Sequence, residues 1–277
     1  MKRVGNIISF FKSELYAVAD EREIISWAYI VIKYIFKFNR SECIINSDKV
    51  LTEKEFSNIN KIINKLKLGK PIQQILNESV FFGMKLKINK YVLIPRRETE
   101  ELVNWILQDT FKTAIDICTG SGCIAIALAK HSKSSIVAVD VCVQALKIAR
   151  ENAILHNVEI EFSQKDILKT YDLPKSDLIV SNPPYVMDSE KKYLNSNVLK
   201  YEPHLALFVL DKRPLLFYKR IIYLASKSLN KNGRIYFEIN EKFGNQIYEI
   251  LCKNGFVDIE LKKDINDKFR MIKAVWK

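Results

Sequence analysis

The apolar positions of this chain change period twice. From Thr52 onward, Phe56, Ile59, Ile62, Ile63 and Leu66 recur every three to four residues, which is one face of a helix. Thr52-x-x-Glu55 stands in front of them, the pattern in which two side chains cap a helix start reciprocally. Gly69 and Pro71 punctuate the end, so residues 1 to 73 are predicted to form a helical domain with these stripes as its core. Between Ser79 and Leu93 the period shortens to two, with Phe82, Met84, Leu86 and Ile88 on one side, which predicts a β-hairpin within a linker at 74 to 95. From residue 96 to 277 short apolar runs alternate with helical stretches, the order of an α/β fold around a parallel sheet. Helices are predicted over 99–107 and 143–155. Strands are predicted at Ser135–Asp140, Asp177–Ser181, Arg234–Ile239, Val257–Leu261 and Met271–Trp276.

The chemistry gathers where these strands end. Thr113-Ala-Ile-Asp116-Ile-Cys118-Thr119-Gly120-Ser121-Gly122 runs from a strand into the helical stretch 123–130. Glycines at 120 and 122 allow a ligand to come close to the backbone, and the helix start beyond offers free N–H groups. A phosphate site competes with this reading, but the third glycine of the dinucleotide spacing is missing and no Gly-Lys-Ser/Thr follows. Asp116 suits a cationic, amino-bearing ligand better. Asp140 ends the next strand about twenty residues on, where doubly wound sheets place an acceptor for ribose hydroxyls. Asp166 is placed to reach an adenine edge, with Ile167 packing on the ring. Each aspartate alone reads equally well as a helix cap. Asp116, Asp140, Asp166 and Asn182 all at strand C-termini form a sharper pattern, because ligands bind at that edge of an open α/β sheet.

The fourth strand end carries Asn182-Pro183-Pro184-Tyr185. Two prolines fix φ twice and remove two donors, leaving a rigid loop whose carbonyls face outward. The Asn182 side chain and the Pro183 carbonyl supply acceptors for both hydrogens of a planar NH2 group, and the Tyr185 ring can pack on its face. An ordinary turn is the competing reading of these four residues taken alone.

With these motifs in place, residues 113 to 277 resemble a class I S-adenosylmethionine-dependent methyltransferase. The whole chain resembles the protein-(glutamine-N5) methyltransferases that modify peptide chain release factors. The resemblance rests on Asn182-Pro-Pro-Tyr185, on Leu93-Ile-Pro-Arg-Arg-Glu-Thr-Glu100 with Phe81-Phe-Gly-Met84 before it, and on Tyr201-Glu-Pro-His-Leu-Ala-Leu207. It implies a Rossmann-like sheet of about seven strands with a small N-terminal helical domain for substrate recognition, joined by a β-hairpin. It implies S-adenosyl-L-methionine as cofactor, held by Asp116, Cys118, Thr119, Gly120, Ser121, Gly122, Asp140, Asp166, Ile167 and Asn182. The acceptor would be the side-chain amide of the glutamine in the Gly-Gly-Gln motif of release factors, met by Asn182, Pro183, Pro184 and Tyr185, of which Asn182, Pro183 and Tyr185 act in catalysis. Three departures stand out. Cys118 occupies a position where the family often has glycine, and a side chain there predicts a negative φ. Arg97 stands where a second proline is usual, and Asn240 where a glycine is common.

Two other substrates fit the same motifs. One is a glutamine of a ribosomal protein; the other is the exocyclic amine of a flipped adenine, for which the short helical segment offers little target-recognition area. A noncatalytic binding module is the remotest alternative. No general base and no metal are called for, and His131, His156 and His204 are assigned structural or surface places. Glu98 and Glu100 serve either the helix start or closure of the cofactor pocket.

Composition alters this little. A net charge of +12 fits an anionic partner or a lysine-rich habit. Residues 1 to 95 hold 16 Lys+Arg against 9 Asp+Glu, a surplus of 7 that suits an acidic protein partner as well as nucleic acid. Release factors are the expected partners, with no direct nucleic-acid binding, and a monomer is expected. The nine-residue apolar run at 24–32 is too short to cross a bilayer. Lys12 and Glu14 interrupt what would otherwise follow Met1-Lys-Arg as a signal core. Five scattered cysteines without metal spacing fit a reducing, cytoplasmic setting.

Overall fold

The computed structural model describes residues 2–277. They form two compact units, residues 2–77 and Glu78–Lys277. The first is helical: α1 (Ile7–Leu15), α2 (Glu21–Phe36), α3 (Arg40–Ile45), α4 (Glu53–Lys67) and α5 (Ile72–Leu76). Its helix starts are written into the sequence. Asp20 accepts from the Glu23 amide, and Asn39 with Glu42 and Thr52 with Glu55 form complete capping boxes. Ile59, Ile62, Ile63 and Leu66 of α4 are buried with Phe11, Leu15, Ala28 and Val31 from α1 and α2, while Phe56 is half-buried at the edge of that core.

The second unit opens with the hairpin β1 (Glu78–Phe81) and β2 (Met84–Lys87). Its strands are shorter than the alternation predicts. Phe82 does not share a face with Met84, Leu86 and Ile88; it sits in the two-residue turn with φ of 50°, beside Gly83 at 70°. Two successive left-handed residues match the twist of a tight hairpin.

After α6 (Arg97–Ile106) come β3 (Thr113–Ile117), α7 (Cys123–Ser132), β4 (Ser135–Asp140), α8 (Val143–Leu155), β5 (Glu161–Gln164) and β6 (Ser176–Ser181). A small β7 (Val186–Met187), α9 (Ser196–Tyr201) and β8 (Phe208–Val209) follow, and then α10 (Leu216–Ser228), β9 (Leu229–Glu238), α11 (Gly244–Lys253), β10 (Phe256–Lys263) and β11 (Phe269–Trp276). The main sheet has seven strands in the order β10-β11-β9-β6-β3-β4-β5. β3 pairs in parallel with both β4 and β6, and only β11 runs against its neighbours β9 and β10. The chain leaves β3 toward β4 and β5, then returns to place β6 on the other side of β3. That reversal opens a crevice beyond the C-terminal ends of β3 and β6. Apolar clusters cover both faces of the sheet, one centred on Leu102, Ile126 and Tyr236, the other on Ile179, Ile221 and Phe237. The strands are thus held on both sides, and only their ends are open to a ligand.

Candidate active site

The loop between β3 and α7 contains three left-handed residues. Gly120 has φ of 54° and Gly122 of 80°, as their lack of a side chain permits. Cys118, for which a negative φ is expected, has φ of 62°. The reason is tertiary. The Thr119 amide donates to the Val139 carbonyl at 3.1 Å and the Gly122 amide to the Thr119 carbonyl at 2.9 Å, so the chain must bend out of the sheet at Cys118. Those hydrogen bonds outweigh a left-handed penalty of about 1–2 kcal/mol. Burial, helped by the charges of Asp140 and Asp116, pushes the Cys118 thiol well above its ordinary value; burial likewise raises Cys123 to about 12, so both are inert thiols.

Asp116 is not exposed to a ligand. It lies 1% exposed beneath the loop, where Oδ2 accepts from the Thr119 hydroxyl at 2.6 Å and from the Ala125 amide at 3.2 Å. It ties the loop to the first turn of α7. Its Oδ1 has no hydrogen-bond partner among the described residues, and burial raises its pKa to about 7 against the pull of those two donors. Asp140, the last residue of β4, faces the crevice. Its Oδ2 accepts from the Gly120 amide at 2.8 Å and its Oδ1 from the Cys142 amide at 2.9 Å, while burial keeps its pKa above the ordinary carboxylate range.

A cavity of about 340 Å³ occupies the crevice, within the range of small-molecule sites. Cys118, Thr119, Gly120, Ser121, Asp140, Asp166, Ile167, Asn182 and Pro184 all line it. Asp116, Gly122 and Pro183 do not. Tyr185 borders a smaller adjoining cavity with Asn182 and Arg96. The arrangement fits a nucleoside sulfonium. Val139, Val141, Ile167 and Leu168 give apolar wall for a base, and Asp140 gives acceptors for ribose. A Cβ on Gly120 would meet nothing within 4 Å, so the loop is open to a ligand at that point.

Several residues that build the site have partners that show only in three dimensions. Arg96 pairs with the buried Glu202 at 2.5 Å, and the same carboxylate accepts from the Ile94 amide at 3.2 Å. This joins the segment before α6 to the segment after α9, and Pro95 and Pro203 of those segments line the cavity. Thr99 lines it as well and donates to Glu238 at 2.6 Å; Glu238 also accepts from the Tyr185 hydroxyl at 2.9 Å. Burial raises the pKa of Glu238, and burial together with the Glu238 charge raises that of Tyr185. A polar residue at the end of an apolar strand is the signal that pointed to Asp140 and Asn182, and it would have found Glu238 by the same rule. Glu100 accepts from the Phe82 amide at 2.6 Å and steadies the hairpin turn; neither it nor Glu98 lines the cavity. His204 bonds to the Leu199 carbonyl at 2.8 Å rather than facing the site. Asn240 donates to the Tyr185 carbonyl at 3.3 Å and to Glu190 at 3.0 Å, bracing the loop beyond the prolines.

Strand order, glycine loop and acidic strand end together define a class I S-adenosylmethionine-dependent methyltransferase. Residues 97–202 match the methyltransferase small domain, and residues 9–76 match the PrmC N-terminal domain. The chain is 45% identical over 280 residues to a release factor glutamine methyltransferase of Flavobacterium psychrophilum, with 98% of each covered. It is 34% identical over 276 residues to one from Bacteroides thetaiotaomicron, covering 98% of this chain and 99% of that one. The chain belongs to the release factor glutamine methyltransferase family. A crystal structure of a methyltransferase from Pyrococcus furiosus shares the fold, with a TM-score of 0.55 at 20% identity over 79% of this chain and 98% of that one.

Proposed function

We propose that this protein methylates the side-chain amide nitrogen of the glutamine in the Gly-Gly-Gln motif of peptide chain release factors. The observation that carries this is the position of Asn182: it lines the cavity suited to S-adenosylmethionine and also borders the smaller cavity beside Tyr185. When bound, S-adenosylmethionine supplies a methyl group on a positively charged sulfur. An amide nitrogen is a poor nucleophile because its lone pair is delocalised, so the protein's task is placement. Orienting two reacting groups in one site is worth roughly 7–11 kcal/mol in favourable systems. Asn182 Oδ1 and the Pro183 carbonyl accept the two amide hydrogens, hold the nitrogen in line, and favour the positive charge that grows on it. Tyr185, its hydroxyl held by Glu238, packs on the amide plane. Asp140 and Asp166 hold the nucleoside.

The helical unit is assigned to recognition of the release factor, and the surplus of basic residues over 1–95 suits an acidic partner. A cytoplasmic monomer fits this role; among the described residues no helix is long and apolar enough to cross a membrane. The test is transfer of labelled methyl from S-adenosylmethionine to purified release factor, beside its Gln→Ala variant, ribosomal proteins and DNA. Label on the release factor that disappears in the variant is the expected result. Label on a ribosomal protein or on DNA instead would reject the substrate.

A further inference from the structure

An asparagine amide has two unlike ends. Only Oδ1 can accept a hydrogen from a substrate NH2 group; the amide nitrogen in its place would set donor against donor. Which end faces the acceptor is decided by what the other end meets. Asn182 Nδ2 donates to Thr99 Oγ1 at 3.4 Å, from the first turn of α6. Thr99 is 2% exposed and the proton of its hydroxyl is already committed, donated to Glu238 Oε2 at 2.6 Å. Glu238 is 1% exposed at the end of β9, and its other oxygen takes the Tyr185 proton at 2.9 Å. Both hydroxyls donate to this one side chain, each to its own oxygen. The Thr99 oxygen then has only lone pairs to show Asn182, and a reversed amide would bring its carbonyl oxygen against them.

We infer that Thr99 and Glu238 are positioning residues for methyl transfer: Glu238 sets the direction of the Thr99 hydroxyl, and Thr99 sets the Asn182 amide so that its carbonyl oxygen is left for the acceptor nitrogen. The inference rests on the reading of Asn182 as the acceptor-binding residue. The same carboxylate fixes Tyr185, so both side chains that meet the acceptor amide hang from one buried group. Both residues act through Asn182 and Tyr185.

Thr99→Val keeps the shape of the side chain and removes the hydroxyl; Thr99→Ser keeps the hydroxyl. For Thr99→Val, kcat should fall at least about tenfold while KM for the release factor and affinity for S-adenosylmethionine change far less, since small misplacements cost rate more than binding. Thr99→Ser should restore kcat to within about threefold. Glu238→Gln should lose rate like Thr99→Val, because a Gln NH2 facing Thr99 frees the hydroxyl proton to turn on Asn182. A second measurement needs no acceptor: in the wild-type protein, NMR should show the Asn182 side-chain amide protons in contact with Thr99. Unchanged kcat in Thr99→Val, equal damage in the Val and Ser variants, or amide protons turned away from Thr99 would each overturn the inference. If the wild-type enzyme labels no release factor, the proposed substrate falls, and the amide contact still decides this inference.

Discussion

Cys118 shows how far a single residue can be pushed by its surroundings. It is half-buried among core side chains and left-handed, a conformation that favours glycine. Cys118→Gly relieves about 1–2 kcal/mol of backbone strain and gives up a small buried side chain worth about the same, so its net effect on stability should lie within about 1 kcal/mol of zero. Cys118→Val adds β-branching at the same φ and should destabilise by about 2 kcal/mol or more. Urea unfolding of the two variants checks the pair; equal losses would mean that the bend imposes no strain. Asn182 and Asp140 separate in another way. Asn182→Ala should abolish transfer and leave S-adenosylmethionine binding nearly intact, whereas Asp140→Ala should weaken binding, because its carboxylate both lines the cavity and holds the Gly120 amide. Calorimetric titration beside the transfer assay reads both, and a similar loss of affinity in the two variants would undo the division of roles.

At the scale of elements, the glycine loop is held by residues distant in sequence. Asn152 of α8 is fully buried; its amide group donates to the Lys87 carbonyl at 2.9 Å and the Ser121 carbonyl at 3.0 Å, and its Oδ1 accepts from the Lys87 amide at 2.7 Å. One side chain therefore completes the end of β2 and pins the loop to α8. Asn152→Ala strands three backbone groups and should cost about 3 kcal/mol, with weaker cofactor binding as the loop loosens. A loss below about 1 kcal/mol by chemical denaturation would mean that water replaces these bonds. The glycines of the loop differ for a similar reason. A Cβ at Gly122 would come within 3.1 Å of Ala149 and Ile126, where loop, α7 and α8 meet. Gly122→Ala should thus destabilise by about 2–3 kcal/mol, clash added to strain, and Gly120→Ala by only about 1 kcal/mol of strain. Thermal unfolding that ranked them the other way would refute this account of the loop's packing.

For the whole molecule, buried carboxyls near the C-terminal edge of the sheet set the response to pH. Asp116, Asp140 and Glu238 all have pKa values raised by burial. A carboxyl whose pKa is higher folded than unfolded binds its proton more tightly in the folded state. Its contribution is fully present below the unfolded value and is lost as pH rises through the folded one. For Asp116 the window runs from about 3.8 to about 7. Asp116→Asn keeps an acceptor and removes the titration, so unfolding free energy measured from pH 5 to pH 8 should fall less steeply in the variant, the difference being at most about 1.4 kcal/mol per pH unit. Parallel curves would mean that Asp116 does not titrate in this range.

The amino-acid sequence by itself determined the helical unit, the α/β alternation and the polar strand ends, because periodicity, capping boxes and the glycine and proline motifs act over a few residues. Thr52 with Glu55, the helix over Val143–Leu155, and the strand leading to Asn182 were all legible in that way. Tertiary structure alone decided the order of the seven strands, the left-handed bend at Cys118 and the inward turn of Asp116. It also decided the partnerships of Arg96 with Glu202 and of Thr99 with Glu238, which join residues 106 and 139 positions apart. No local pattern encodes such pairs; they form because the crossovers of the sheet carry separate strand ends to one edge, where buried polar groups must find partners in each other.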